Sequence, residues 1–291
     1  MKNPLISYLR RLGSLISILA LVVAVRAQSM TIPFIAAEKQ FASHALAEGI
    51  KAAFLEHLDS AGIVVNAGQF VNGRKFYAQV SPETTEALFW QPAYARTNQA
   101  GTFGFTSGPY HYYADRRTFP VLSGYYFSIW KTDLEGRLKV FFDGGVNHST
   151  AVPVKLADIT PVLADTVQHG QLNWVNKGKG KPKTFRLFQN ALVRKPLSAY
   201  QKYLNDAVLV LRPDQPFHTS AVGYLAYCAR GRQPVFDYRH YQEGFDPQRQ
   251  LYYQFGHLTG TAGKICGYFV RIWQLQKNRW KIVADVQQYE P

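Results

Sequence analysis

Acidic side chains are scarce in this 291-residue chain: 19 Asp and Glu stand against 33 Lys and Arg, for a formal net charge of +14. Cysteine is scarcer still, with only Cys228 and Cys266, so a small disulfide-framed scaffold is excluded. No His/Cys cluster has the spacing of a metal site, so neither a metal nor a cofactor is expected. The chain has no Gly-x-Ser-x-Gly, His-Glu-x-x-His or Walker motif, and no dinucleotide fingerprint of the expected form. Their absence weighs against the hydrolase, metalloenzyme and nucleotide-enzyme classes. Charged residues are only 18% of the chain, while 47% is hydrophobic and 14% aromatic. That is too apolar for a disordered chain and not apolar enough for a polytopic membrane protein. What remains is globular, with material for one large or two small domains.

The N-terminus has the layout of a secretory signal. Lys2, Arg10 and Arg11 form a basic region, Leu12–Val25 is apolar, and Val25-Arg26-Ala27 places small residues at the −3 and −1 positions of a cleavage site. The apolar run has 14 residues, against about 20 for a bilayer span. Residues 1–27 are therefore expected to be a signal peptide and the protein to be exported, periplasmic or extracellular; an uncleaved anchor is the alternative. Removing them takes away four basic and no acidic side chains, leaving +10. On charge alone that is a nucleic-acid binder's balance, but an exported protein rarely meets nucleic acid, and none is expected as partner. An anionic envelope surface or an acidic ligand fits the charge at least as well. Lys177–Lys183 (KGKGKPK), interrupted by Gly and Pro, reads as a solvated turn or linker. Export permits a disulfide between Cys228 and Cys266; the other reading is two small buried thiols.

The chain repeats itself. Lys51–Val65 (KAAFLEHLDSAGIVV) aligns without gaps to Leu197–Leu211 (LSAYQKYLNDAVLVL), 146 residues on. Gly124–Trp130 (GYYFSIW) answers Gly267–Trp273 (GYFVRIW), and Lys139–Asp143 answers Lys281–Asp285. Three blocks in one order predict two copies of one domain, at residues 31–149 and 183–291, joined by a connector at 150–182. A period this long excludes a solenoid.

Each copy starts helical. Phe34, Ala37, Phe41, Ala45, Ile50, Ala53, Phe54 and Leu58 keep the spacing of one buried helical face, and Glu38, Glu48, Lys51, Glu56 and Asp59 fall mostly on the other side. Gly49 marks a bend between two helical pieces; Pro196 is expected to start a second helix in the other copy. Aromatic-rich stretches at Phe103–Tyr113, Tyr125–Lys131 and Leu138–Asp143 then read as strands, with hairpin turns at Asp133–Gly136 and Gln276–Asn278. The order gives an α+β domain, its helices on one face of a curved antiparallel sheet.

These features resemble the NTF2-like superfamily of cone-shaped α+β domains, and within it the SnoaL-like and DUF4440 kinds. The residues that carry the resemblance are Ala37–Phe41, Gly104–Tyr110, Gly124 with Ile129-Trp130, and Asp143-Gly144-Gly145. The second copy keeps Leu211-Arg212-Pro213, Thr259-Gly260, Gly267 with Trp273, and Asp285, but lacks the double Gly. The resemblance implies tandem conical domains, each with a cavity open at one end, paired through the open sheet face as an intramolecular pseudo-dimer. Fold does not settle activity.

In such a cavity Trp90, Tyr94, Tyr110, Tyr126 and Trp130 are the ligand-lining candidates. Strand alternation puts Tyr126, Ser128 and Trp130 on one face and Tyr125, Phe127 and Ile129 on the other, without saying which faces inward. Arg271 stands where the first copy has Ser128, and is a carboxylate-ligand candidate if that face is inward. Asp143 is the acid/base candidate, with His148 five residues later as its partner; a turn-capping Asp and a surface His are the plainer readings. Two functions follow. One is non-catalytic binding of a small, partly apolar ligand or a protein partner. The other is a lyase- or isomerase-type reaction with Asp143 as general base.

Overall fold

A computed structural model describes residues 32–82, 85–149, 183–231, 234–260 and 263–290, with the backbone of Val162–Leu163. The expected signal peptide, the rest of the expected connector and residues 177–182 of the basic run lie outside the described residues.

The first half begins with α1, which covers residues 32–48 and buries Phe34, Phe41, Ala42 and Ala45. Gly49, at φ 89°, stops it, because few residues other than glycine take that conformation at low cost. Then come α2 (Ile50–His57), β1 (Leu58–Asn66), β2 (Gln69–Asn72) and α3 (Gly73–Gln79). After them follow β3 (Ala87–Trp90), β4 (Tyr94–Thr97) and the long hairpins β5 (Phe103–Tyr113), β6 (Leu122–Thr132) and β7 (Leu138–His148). β8 (Val162–Leu163) pairs with β4. The second half runs α4 (Lys183–Arg194), α5 (Pro196–Tyr203), β9 (Leu204–Leu211), α6 (Ala221–Cys228), β10 (Asp237–Phe245), β11 (Leu251–Thr259), β12 (Ile265–Gln276) and β13 (Arg279–Tyr289). Pro196 sits in the first turn of α5, where its missing N–H costs nothing. Leu58, placed on a helical face by periodicity, is instead the first residue of β1.

The architecture is α+β with two sheets. One has the order β2-β1-β7-β6-β5-β4-β8, with β3 also paired to β5; the other has β10-β11-β12-β13-β9. The central strands are antiparallel, and the first strand of each half joins in parallel: β1 on β7, β9 on β13. Both halves bend at the same place. Between β6 and β7 the register slips so that Phe141 is extra, and between β12 and β13 Val283 is extra. A bulge increases strand twist and bends the sheet. The matched Gly124 and Gly267 allow the neighbouring strand to approach: a Cβ would lie 1.9 Å from the Val146 carbonyl oxygen in one and 2.0 Å from that of Gln288 in the other.

Tyr126, Ser128 and Trp130 face the helices, and Phe127 and Ile129 face the other sheet. The two sheets pack back to back. Phe142 lies on Phe255 with ring centroids 4.8 Å apart, Phe103 stacks on Tyr253, and Val270, Ile272 and Val286 complete the layer. Polar clasps flank it: Asn98 donates to Asp246 and Gln248, and Gln99 and Gln250 exchange two hydrogen bonds.

Because Phe142 is fully buried in this shared layer, Phe142→Ala should destabilise the protein by about 3–5 kcal/mol. Calorimetry should show both halves melting in one lowered transition; a second-half transition left at its original temperature would contradict a shared core.

Candidate functional site

The helices and the concave face of the first sheet enclose a cavity of about 880 Å³. Its apolar wall includes Phe41 from α1, Phe54 from α2, Leu88 and Trp90 from β3; Tyr110 and Asp143 supply polar groups. The rim is partly built by the second half, through Lys264, Tyr268 and Gln288. Tyr268 clamps that rim in place: its hydroxyl donates to the Gly145 carbonyl and accepts from the Gly145 N–H at 2.9 Å. Gln288 Oε1 accepts from the Asn147 N–H at 2.7 Å.

Behind the wall lies Glu38, fully buried. Its carboxyl accepts from Trp90 Nε1 at 2.6 Å, Thr106 Oγ1 at 2.5 Å and Trp130 Nε1 at 2.9 Å. Burial pushes the Glu38 carboxyl up to about 7, although the hydrogen bonds from Thr106 and the two indoles pull the other way. Glu38, expected on the polar side of its helix, is instead inside the fold. Glu38 stands four residues after Phe34 and three before Phe41, so it shares their buried stripe. The signal was present in the spacing and was outweighed by residue type.

Asp143 lies on β7 opposite Ser128 on β6, and Ser128 Oγ donates to its Oδ1 at 2.8 Å. The carboxyl is half-buried and borders the cavity. Burial pushes it up to about 7, Ser128 lowers it, and the Glu38 charge adds to the rise. Tyr126 also borders the cavity. Its hydroxyl is sealed off from solvent and lies within reach of Thr106, whose Oγ1 donates to Glu38 and retains acceptor capacity. Burial, then the Glu38 carboxylate, keep that phenol well above its ordinary range, so it is a donor.

His148 is not part of this group. It packs edge-on to Tyr125, on the face turned to the second sheet, and its Nδ1 accepts from the Asp214 N–H at 2.9 Å. Tyr94 also serves the contact between halves: its hydroxyl donates to the Ala207 carbonyl at 3.0 Å and its ring stacks on Phe105. Trp130 is fully buried behind the wall and positions the cavity through Glu38 rather than lining it. Trp90, Tyr110 and Tyr126 do line it.

In the second half Arg271 faces inward and is fully buried, but a carboxylate of the chain already occupies it. Its Nε and Nη2 both reach Asp285 Oδ1 at 2.8 Å, while Arg212 Nη2 holds Oδ2 at 2.5 Å. Burial pushes Asp285 up, but Arg271 and Arg212 outweigh it and hold the carboxyl below its usual range. Arg271 also sits over the Phe188 and Tyr238 rings. A pocket of about 20 Å³, lined by Tyr200, Arg212 and Tyr238 among others, lies next to this cluster. Asp143 and Asp285 occupy equivalent positions; Ser128 leaves space beside the first, and Arg271 fills it beside the second.

Cys228 and Cys266 are free thiols in separate apolar clusters, Cys228 against the second-half helices and Cys266 beside Leu258. Among the described residues, no group of three or more His, Cys, Asp or Glu side chains is arranged to hold a metal. Among the same residues, no helix is long and apolar enough to cross a membrane.

No protein-family model matches this chain, and no curated protein does. Solved structures do. An NTF-2-like protein of unknown function from Shewanella oneidensis MR-1 is similar at 16% identity and TM-score 0.30, over 36% of this chain and 93% of that one. A DUF4783 family protein from Bacteroides ovatus is similar at 14% identity and TM-score 0.29, over 39% and 99%. An LEH-like epoxide hydrolase from M. tuberculosis is similar at 12% identity and TM-score 0.28, over 37% and 76%.

Glu38 and Asp143 keep their protons to about pH 7 in the folded chain, whereas their ordinary values are 4.5 and 3.8. Between those limits the unfolded chain binds fewer protons, so stability falls as pH rises from about 4 to 7 and levels off above. Glu38 alone contributes about 3 kcal/mol to the fall. The melting temperature should drop between pH 5 and pH 8, and Glu38→Gln should flatten that slope. Tryptophan fluorescence should titrate with a midpoint near 7 in the wild type and lose that step in Glu38→Gln.

Proposed function

We propose that the first half binds a small, partly apolar molecule in its cavity and that the second half is a structural partner whose own interior is filled. The observation that carries this reading is the cavity of about 880 Å³, walled by Phe41, Phe54, Leu88 and Trp90 with the Asp143 carboxyl at its border. Phe41, Phe54 and Leu88 take up the apolar body of the ligand. Asp143 offers a polar contact, as a donor when protonated and an acceptor when ionised. The basic, apolar and small-residue order of residues 1–27 supports export, so this binding would take place in the periplasm or outside the cell.

Asp143 also favours a second reading. A carboxyl that titrates near 7 at the border of a cavity suits proton transfer in a lyase- or isomerase-type reaction, with Asp143 as base. The two readings separate on one variant, since Asp143→Asn abolishes turnover under the second and leaves ligand retention nearly intact under the first.

Native mass spectrometry of the protein from its own host, before and after organic extraction, should reveal a bound small molecule. Leu88→Trp, which fills the cavity, should remove it. A wild-type protein that carries no adduct, and binds none when challenged with a lipophilic extract of its host, would overturn the binding reading.

A further inference from the structure

The two copies treat surface charge differently at matched positions. In the first, Lys139 Nζ donates to the Glu56 carbonyl at 2.6 Å and pairs with the Glu56 carboxylate at 3.3 Å. The equivalent residues of the second copy are Lys281 and Lys202. Lys281 Nζ makes the same bond to the Lys202 carbonyl, at 2.7 Å, but the acid has become a second cation. The last residue of α1 is Glu48, whereas that of α4 is Arg194. The β6–β7 turn holds Arg137 with Asp133 and Glu135; the β12–β13 turn carries Lys277, Asn278 and Arg279 with no acid.

These changes converge on one surface. Along α4 the exposed residues are Lys183, Arg186, Leu187, Asn190, Val193 and Arg194, spaced as a single helical face, while Phe185, Phe188 and Leu192 point into the core. Lys195, at the α4–α5 junction, and Leu197 and Lys202 on α5 are exposed as well. The β12–β13 turn lies beside it, since Trp280 packs on Phe185. From Lys183 to Asn205 the sequence has no acidic residue. Glu243 on β10, which adjoins through the Gln189–His240 bond, is held by His240 and Gln254. In the first half Arg117, Lys131, Arg137 and Lys139 each have a carboxylate partner, while Lys39, Arg74, Lys75 and Arg116 have none among the described residues. Among the described residues, Lys183, Arg186, Arg194, Lys195, Lys277 and Arg279 have none.

Neighbouring like charges repel, so a face that replaces ion pairs with cations gives up stability unless an external anion compensates. Apolar side chains stand among the cations: Leu187 is 55% exposed, Val193 54% and Leu197 36%. A soluble polyanion has no use for them. A bilayer surface takes both, the cations at anionic headgroups and the aliphatic side chains at the acyl boundary. We propose that the α4–α5 face and the adjoining β12–β13 turn dock the protein on an anionic phospholipid surface. This is independent of the cavity reading: it uses the opposite half of the molecule and fails or stands without it.

The test is co-sedimentation of the full chain with vesicles of equal parts phosphatidylglycerol and phosphatidylcholine, against pure phosphatidylcholine. Arg186→Glu with Lys202→Glu is compared with a control of equal charge change, Arg116→Glu with Arg117→Glu, on the β5–β6 turn. All carry the same N-terminal segment. The wild type should bind the anionic vesicles and not the neutral ones. The α4–α5 variant should lose affinity about tenfold or more, and the control less than about twofold. Because Lys202→Glu recreates the Glu56–Lys139 pair, its melting temperature should hold or rise, which separates lost docking from lost folding. Leu187→Ser with Val193→Ser should also weaken binding, with the residual binding abolished near 0.3 M salt. Equal losses in variant and control, or no binding to anionic vesicles, would overturn the proposal. Binding that needs the cations but ignores Leu187 and Val193 would overturn it in favour of a soluble polyanion.

Discussion

Alternate residues of a strand point to opposite faces, and a curved sheet that encloses a cavity on one side still has a back to cover. Here the two backs cover each other. Phe127, Ile129 and Phe142 of one half meet Phe255, Val270 and Ile272 of the other in one continuous apolar layer. Everything else depends on that packing. It turns Tyr126, Ser128 and Trp130 toward the helices, and it brings Tyr268 and Gln288 to the rim of the first cavity. It also explains why His148 and Tyr94 are structural: both lie where the halves meet.

Within that frame one position decides what each concavity becomes. The same strand pair presents Ser128 to Asp143 in one half and Arg271 to Asp285 in the other. A serine satisfies one carboxylate oxygen and leaves the other beside open space. An arginine fills the space and, with Arg212, keeps the carboxylate ionised in a place that water does not reach. The first arrangement leaves an acid poised near neutrality at a cavity, and the second makes a closed, ion-paired core. Division of labour between the copies thus rests on side-chain volume and charge at one register position, on nearly the same backbone.

The outer surfaces diverge by the same logic. Glu56 and Lys139 form an ordinary exposed pair; Lys202 and Lys281 keep the backbone contact and lose the pairing. One half therefore carries the cavity and keeps the ion pair, and the other carries a filled interior with an unbalanced cationic face.

Much of this was legible in the residues. The repeat, the helix break at Gly49, the helix start at Pro196 and the turns before Arg137 and Arg279 are local, and local signals survive folding. The matched glycines at 124 and 267 mark where a neighbouring strand comes close. Alternation along β6 sorted Tyr126, Ser128 and Trp130 from Tyr125, Phe127 and Ile129, but both sets are largely apolar because both faces are buried, so the pattern carried no sign. Tertiary structure supplied that sign by setting a second sheet against one face. It also drew Glu38 inside, because three donors from β3, β5 and β6 converge on it from 52 to 92 residues away. For Arg271 it provided Asp285 as partner in place of a ligand. The sequence by itself determined two α+β copies, their breaks and turns, and the residues available to each face. Which face encloses a cavity, which cavity stays open and what borders it were decided by contacts between residues far apart in the chain, which no local pattern encodes.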